Sequence, residues 1–229
     1  MSSAVRRGRQ SRDRRNVGGP ARVANMRPIK RSVLIVGEGQ ETEPNYFRGL
    51  RRESVVSEWF TVTVKKGHGR SPEAVAKEAS KYKRQAENRG EYYDEVWCAL
   101  DVEGPGAREL LERAIAEAGR NGISLCLSNP CFEVWLLAHF VRESRAHNGC
   151  DSVIQRLNPH WQRLCGQDYR KNDGQLYARI SHLTGTAIEN AKCVRETDHR
   201  DKTGTIEANS STDVYRLVNR LLGSCSPDR

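Results

Sequence analysis

Acidic side chains recur where apolar runs end. Glu38 follows Ser32-Val33-Leu34-Ile35-Val36 across Gly37, and Glu43 comes five residues later. Asp101 closes Asp94-Glu95-Val96-Trp97-Cys98-Ala99-Leu100, with Glu103 two residues on, and Glu133 stands just past Ile123-Ser124-Leu125-Cys126-Leu127. Carboxylates gathered in one patch repel and raise each other's pKa unless a cation sits among them. Oxygen-only ligands without a histidine-cysteine set favour Mg2+ or Mn2+. Two such ions ~3.5–4 Å apart activate a water and stabilise the leaving oxygen of a phosphodiester. Each acid alone has a plain reading. Glu38 suits a solvated turn, Asp101 a turn before Gly104-Pro105-Gly106, and Glu133 the favourable end of a helix dipole. Their recurrence at successive strand ends is what points to a metal.

Strands and helices must alternate for these acids to meet. Residues 32–36 form a short run rich in β-branched residues, the length of a buried strand. Two glycines then break the chain at Gly37-Glu38-Gly39, and a helix is expected from Thr42, as its cap, to about Trp59, with Pro44 tolerated in the first turn. Phe60-Thr61-Val62-Thr63-Val64 alternates as a second strand. Ser71-Pro72 opens a charged helix to about Asn88, residues 94–101 form a third strand, and a helix spans Ala107 to Arg120. Residues 123–127 are a fourth strand, after which Asn129 and Pro130 open the helix carrying Phe132 to Leu137. This order implies an α/β fold: an open, mostly parallel four-stranded sheet flanked by helices. In such a sheet all the acidic strand ends share one edge, where ligands bind. From about residue 142 the strand signal stops. Helices near 151–158, 175–195 and 211–222 follow, the last with Ser211 or Thr212 as cap and Val214, Leu217, Val218, Leu221 and Leu222 on one face.

The charge is unevenly placed. The 229 residues carry a net +9, and residues 1–31 hold ten basic residues against Asp13, which accounts for all of it. Those 31 residues read as a disordered basic arm, residues 32–141 as the α/β core and residues 142–229 as a helical extension packed on that core. Arg6, Arg7, Arg14 and Arg15 of the arm are candidates for gripping nucleic-acid phosphates. The alternative is a solvated tail, with translation starting at Met26. The arm has no apolar secretory core and no run spans a bilayer, so no membrane association is expected. Seven cysteines without a C-x-x-C pair fit a reducing cytoplasm, and argue against a disulfide framework or a zinc cage.

Other candidates have plainer readings. Lys192 and Arg195 could steady the charge of a phosphoryl transition state or contact nucleic acid, yet they also suit a helix's wet face. His139 reads as a core histidine, and Gly67-His68-Gly69-Arg70 as a glycine turn. Cys131 lies near the acids without marks of a nucleophile. Trp59, Trp97, Trp135 and Trp161 look like core and boundary packing.

Four stretches together resemble the RloB family: Glu38-Gly39-x-x-Thr42-Glu43-Pro44-Asn45-Tyr46-Phe47, Val96-Trp97-Cys98-x-x-Asp101-x-Glu103, Ser128-Asn129-Pro130-Cys131-Phe132-Glu133-x-Trp135-Leu136-Leu137, and Ser211-Thr212 with Leu217-Val218. The resemblance runs in order from about residue 31 to 222. It implies a Toprim-like fold, a place in bacterial phage-defence and restriction loci, and an ATPase encoded alongside. Carried over, Glu38 is the Toprim glutamate and Asp101 the first acid of the pair. Glu103 stands where aspartate is usual, Glu43 resembles a helix glutamate of OLD-type sites displaced by one residue, and Glu133 resembles the glutamate opening the helix after the fourth strand. Gly37 replaces a common cysteine and Ser210 a common proline. The expected function is an Mg2+- or Mn2+-dependent nuclease on DNA or RNA with Glu38, Asp101 and Glu103 catalytic and Glu43 and Glu133 completing the metal site. The alternative is a non-catalytic subunit that binds a partner ATPase or nucleic acid.

Overall fold

A computed structural model describes residues 29–67, 71–103 and 107–223. The expectations placed on Arg6, Arg7, Arg14, Arg15, His68 and Arg70 lie outside these residues.

The first apolar run is the centre of the sheet. β1 (Arg31–Gly37) buries Val33 to Val36 completely, with Val33 and Ile35 entering one core and Leu34 and Val36 the other. Four such side chains, at roughly 1.5–3 kcal/mol each, make this strand costly to expose. β1 pairs in parallel with β2 (Phe60–Lys66) on one side and β3 (Glu95–Asp101) on the other. β4 (Ser124–Asn129) continues the parallel sheet, and β5 (Ser211–Thr212) adds an antiparallel edge, giving the order β2-β1-β3-β4-β5. The α/β class and the open parallel sheet are as the sequence implies. The fifth strand is an addition, and it takes Ser211 and Thr212 out of the cap position expected of them, which Asp213 occupies instead. Two polar residues carry no periodicity, and they join the sheet because Thr212 pairs with Ser128, hydroxyl to hydroxyl at 2.8 Å.

Helices cover both faces. α1 (Thr42–Leu50) and α2 (Ser54–Trp59) lie on the Val33/Ile35 face, together with α5 (Glu133–Ala138), α6 (Cys150–Cys165), α7 (Leu176–Ile180), α8 (Thr184–Cys193) and α9 (Val214–Leu222). α3 (Pro72–Glu87) and α4 (Ala107–Asn121) cover the Leu34/Val36 face. The chain therefore leaves β1 toward one face and β3 toward the other. Adjacent parallel strands whose connections diverge leave a crevice at their carboxyl ends.

Local expectations shift in three places. The helix expected from Thr42 to Trp59 divides at residues 51–53, where Glu53 is extended (φ −57°, ψ 136°). α1 instead turns its Tyr46 edge-on to Tyr177, 5.2 Å away and far along the chain, a contact that local periodicity does not register. Thr42 is no cap, because its hydroxyl is engaged inside the crevice. After β4 the helix begins at Glu133, not Asn129, whose side-chain amide donates to the carbonyls of Thr205 and Ile206. Among the described residues no helix is long and apolar enough to cross a membrane.

Candidate metal centre

Glu38 is the first residue beyond β1, and β3 holds it at both ends. Its N–H donates to the Ala99 carbonyl at 3.0 Å, and its Oε2 accepts the Asp101 N–H at 3.0 Å. The β1–β3 register sets Gly37 opposite Ala99, so this reach follows from strand pairing. Asp101 is the last residue of β3. Glu43, in the first turn of α1, folds back so that its Oε1 accepts the Gly39 N–H at 2.7 Å. A Cβ on Gly39 would overlap the Glu43 carboxylate, so the absence of a side chain there is what admits it. Glu133 opens α5 and is only 2% exposed, with Oε1 accepting the hydroxyls of Tyr169 (2.9 Å) and Thr42 (3.4 Å). Lys171 Nζ stands 3.6 Å from the same oxygen.

Glu43, Asp101, Glu133, Thr42 and Lys171 line one cleft of about 260 Å³, with Glu38 at its strand end. Burial pushes the Glu38 carboxyl up to about 7, opposed by the Asp101 N–H and reinforced by Glu43. Burial likewise raises Glu43, against the Gly39 N–H bond, with Glu133 adding repulsion. Asp101 rises well above the usual range through burial, then through the charges of Glu43, Glu38 and Glu133. Lys171 opposes the shift at both Glu43 and Asp101 without cancelling it. A buried set of carboxylates in this condition has more negative charge than its protein surroundings neutralise. Oxygen donors from Glu38, Glu43, Asp101 and Glu133 suit a hard divalent ion. They are not tightly clustered: among the described residues, no three cleft carboxylates bring ligand oxygens within 4.8 Å of one another.

The remaining sequence candidates fall elsewhere. Glu103 is exposed beyond β3, and its Oε1 accepts the Cys150 N–H at 3.0 Å. Because β3 ends at Asp101, the alternation that would have aligned Asp101 with Glu103 does not continue. Lys192 is exposed and does not line the cleft. Arg195 does not line it either, and its guanidinium donates to the carbonyls of His199 and Lys202. His139 is a core residue bonded through Nδ1 to the Trp135 carbonyl (3.0 Å), and burial holds its pKa down to about 4. Trp135 and Trp161 are fully buried, as core packing requires. The cysteine expectation needs correction, since Cys131 and Cys150 form a disulfide. Nineteen residues separate them in sequence, and only the docking of α6 beside the loop after β4 brings their Cα atoms to 5.6 Å.

Thr42, Tyr169 and Lys171 are the site residues that sequence reading missed as such. Thr42 sits inside the Glu38–Phe47 motif, so its neighbourhood was a usable signal. Tyr169 and Lys171 lie in a polar loop after α6, and no spacing ties them to the strand ends.

No curated protein and no solved structure matches the chain. The family model described as RloB-like protein matches residues 33–221. That span contains both core faces and every residue of the cleft, and the chain belongs to the RloB-like family.

Proposed function

We propose that this protein is an Mg2+- or Mn2+-dependent nuclease of Toprim type, hydrolysing phosphodiester bonds of DNA or RNA as the effector of a bacterial anti-phage, restriction-linked defence system in the cytoplasm. The observation that carries the reading is the convergence of Glu38, Glu43, Asp101 and Glu133 where the β1 and β3 connections diverge, with the carboxyls of Glu38, Glu43 and Asp101 raised above the usual range. These four side chains would hold the ion, which supplies Lewis-acid activation of water and charge neutralisation at the scissile phosphate. Glu38 is oriented by the Asp101 N–H, so its free oxygen is directed by the strand pair and not by a flexible loop. Glu43 is fixed by Gly39, and Glu133 by Tyr169 and Thr42. Lys171, more than half exposed at the cleft mouth, is placed to meet a substrate phosphate. The basic arm would add sequence-independent, salt-sensitive grip, and a co-encoded ATPase is the proposed partner.

The test is cleavage of plasmid DNA and of tRNA by the full chain with Mg2+ or Mn2+. Activity that disappears in Glu38→Gln supports the assignment, and a mutant cutting at the wild-type rate removes it. The wide spacing of the cleft acids and the outward position of Glu103 favour a second reading, a non-catalytic subunit that binds an ATPase or nucleic acid. Calorimetry decides between them. Absence of Mn2+ binding at millimolar concentration, with tight association to an ATPase, supports the second.

A further inference from the structure

Beside the acidic cleft lies a ligand set of different chemistry. Cys131 follows the turn after β4, and Cys150 is the first residue of α6. Among the described residues, these two sulfurs and a carboxylate oxygen of Glu103 are the three histidine, cysteine or acidic ligand atoms that all fall within 4.8 Å of one another. Glu133 Oε2 lies 3.0 Å from Cys150 Sγ. Gly149, in the left-handed region at φ 87°, permits this approach: a Cβ there would stand 2.8 Å from Glu103 Oε1.

We propose that Cys131, Cys150 and Glu103 form a second cation site, for a thiophilic divalent ion such as Zn2+, present when the cysteine pair is a dithiol and closed when it is a disulfide. The Cα separation of 5.6 Å lets the sulfurs bond to each other or chelate one ion. Cys150 is the first residue of a sixteen-residue helix, and Lys171 Nζ lies 3.8 Å from its sulfur. Glu103 supplies a third ligand from the exposed side, an entry path for the ion.

A thiolate pair selects soft ions, whereas the cleft offers oxygen alone, so the two sites sort cations by chemistry. Opening the site takes two electrons and two protons, delivered to the S–S bond by a dithiol that is itself oxidised to a disulfide. Ion entry then releases the two thiol protons. Oxidation by a small-molecule disulfide reverses this: the S–S bond re-forms, the oxidant takes two protons from water to become two thiols, and the ion leaves. This inference is independent of the nuclease reading, because its readout is metal–sulfur spectroscopy.

The full chain, reduced with a phosphine and freed of it without oxygen, is titrated with Co2+. A thiolate-to-cobalt charge-transfer band saturating at one ion per chain is expected, with none in the oxidised protein. The band should vanish in Cys131→Ser and Cys150→Ser, and Glu103→Gln should weaken Co2+ binding at least ~10-fold. Zn2+ should displace the cobalt and shield Cys131 and Cys150 from alkylation, read by peptide mass spectrometry. This shielding assay uses unmutated protein, so it stands if the cysteine variants do not fold. No charge-transfer band in the reduced chain, an equal band in the oxidised chain, or full alkylation of both cysteines under Zn2+ would overturn the proposal.

Discussion

Carboxylates in two places in this molecule receive opposite treatment. Glu143 accepts from the guanidinium groups of Arg145 (3.0 Å) and Arg156 (2.9 Å), and Arg145 holds its carboxyl down to about 2. Glu38, Glu43 and Asp101 are drawn together with no arginine paired to them among the described residues, and burial with mutual repulsion drives them up, Glu38 to about 7. The protein neutralises one acidic position itself and leaves the other short of positive charge. A structural carboxylate is completed by its own chain, whereas a cation-binding one is completed by what arrives.

The most severe way to break the contrast is to neutralise each kind of acid. Glu38→Gln should lower metal-dependent cleavage by at least ~100-fold while leaving the metal-free fold as stable or more so at pH 8. Glu143→Gln should do the reverse: activity per folded molecule is kept, and stability falls by roughly 1–3 kcal/mol as the arginines lose a charged partner. Thermal melts and a plasmid or tRNA assay read both, and matching behaviour of the two variants would erase the distinction.

Next in size is Gly39→Ala. A methyl group there displaces the Glu43 carboxylate, so Mn2+ affinity by calorimetry should drop ~10–100-fold.

The pH dependence sharpens the comparison with its sign. Between pH 4.5 and about 7 the folded protein keeps a proton on Glu38 that the unfolded chain has released, so metal-free stability falls as pH rises through that window. The loss amounts to roughly 3 kcal/mol at most. Mn2+ should raise the melting temperature more at pH 8 than at pH 5, because protons compete for the same oxygens. Glu143 contributes oppositely: its stabilisation is complete above pH 4.5 and is lost as pH falls toward 2. A melting temperature flat from pH 5 to 8 without metal would contradict the unneutralised cleft.

The smallest effect belongs to Tyr169→Phe. Removing the hydroxyl donor to Glu133 should cost about 1–2 kcal/mol of stability and shift the pH profile of cleavage, which loss of packing alone would not move.

Much of the frame was legible beforehand. Val33 to Val36 announced a strand buried on both faces, and acids after β1, β3 and β4 were bound to share an edge once the sheet was parallel. Glu38, Asp101 and Glu133 were placed at that edge in this way, and Glu43 by its nearness to Glu38 along the chain. Glu103 was expected among them because alternation was carried two residues past the last paired residue of β3, beyond where pleating holds. Tyr169, Lys171 and the Cys131–Cys150 pair left no local trace, since each acts across the docking of α6 and the loop after it.

The sequence alone determined the strand-helix alternation, the parallel sheet and the acids at its carboxyl edge, because burial periodicity and chain direction are local properties. Tertiary structure alone decided which acids face one cleft, which lysine attends them, and which cysteines meet. Those outcomes depend on how helices distant in sequence pack on the sheet, and no spacing along the chain encodes a distance across it.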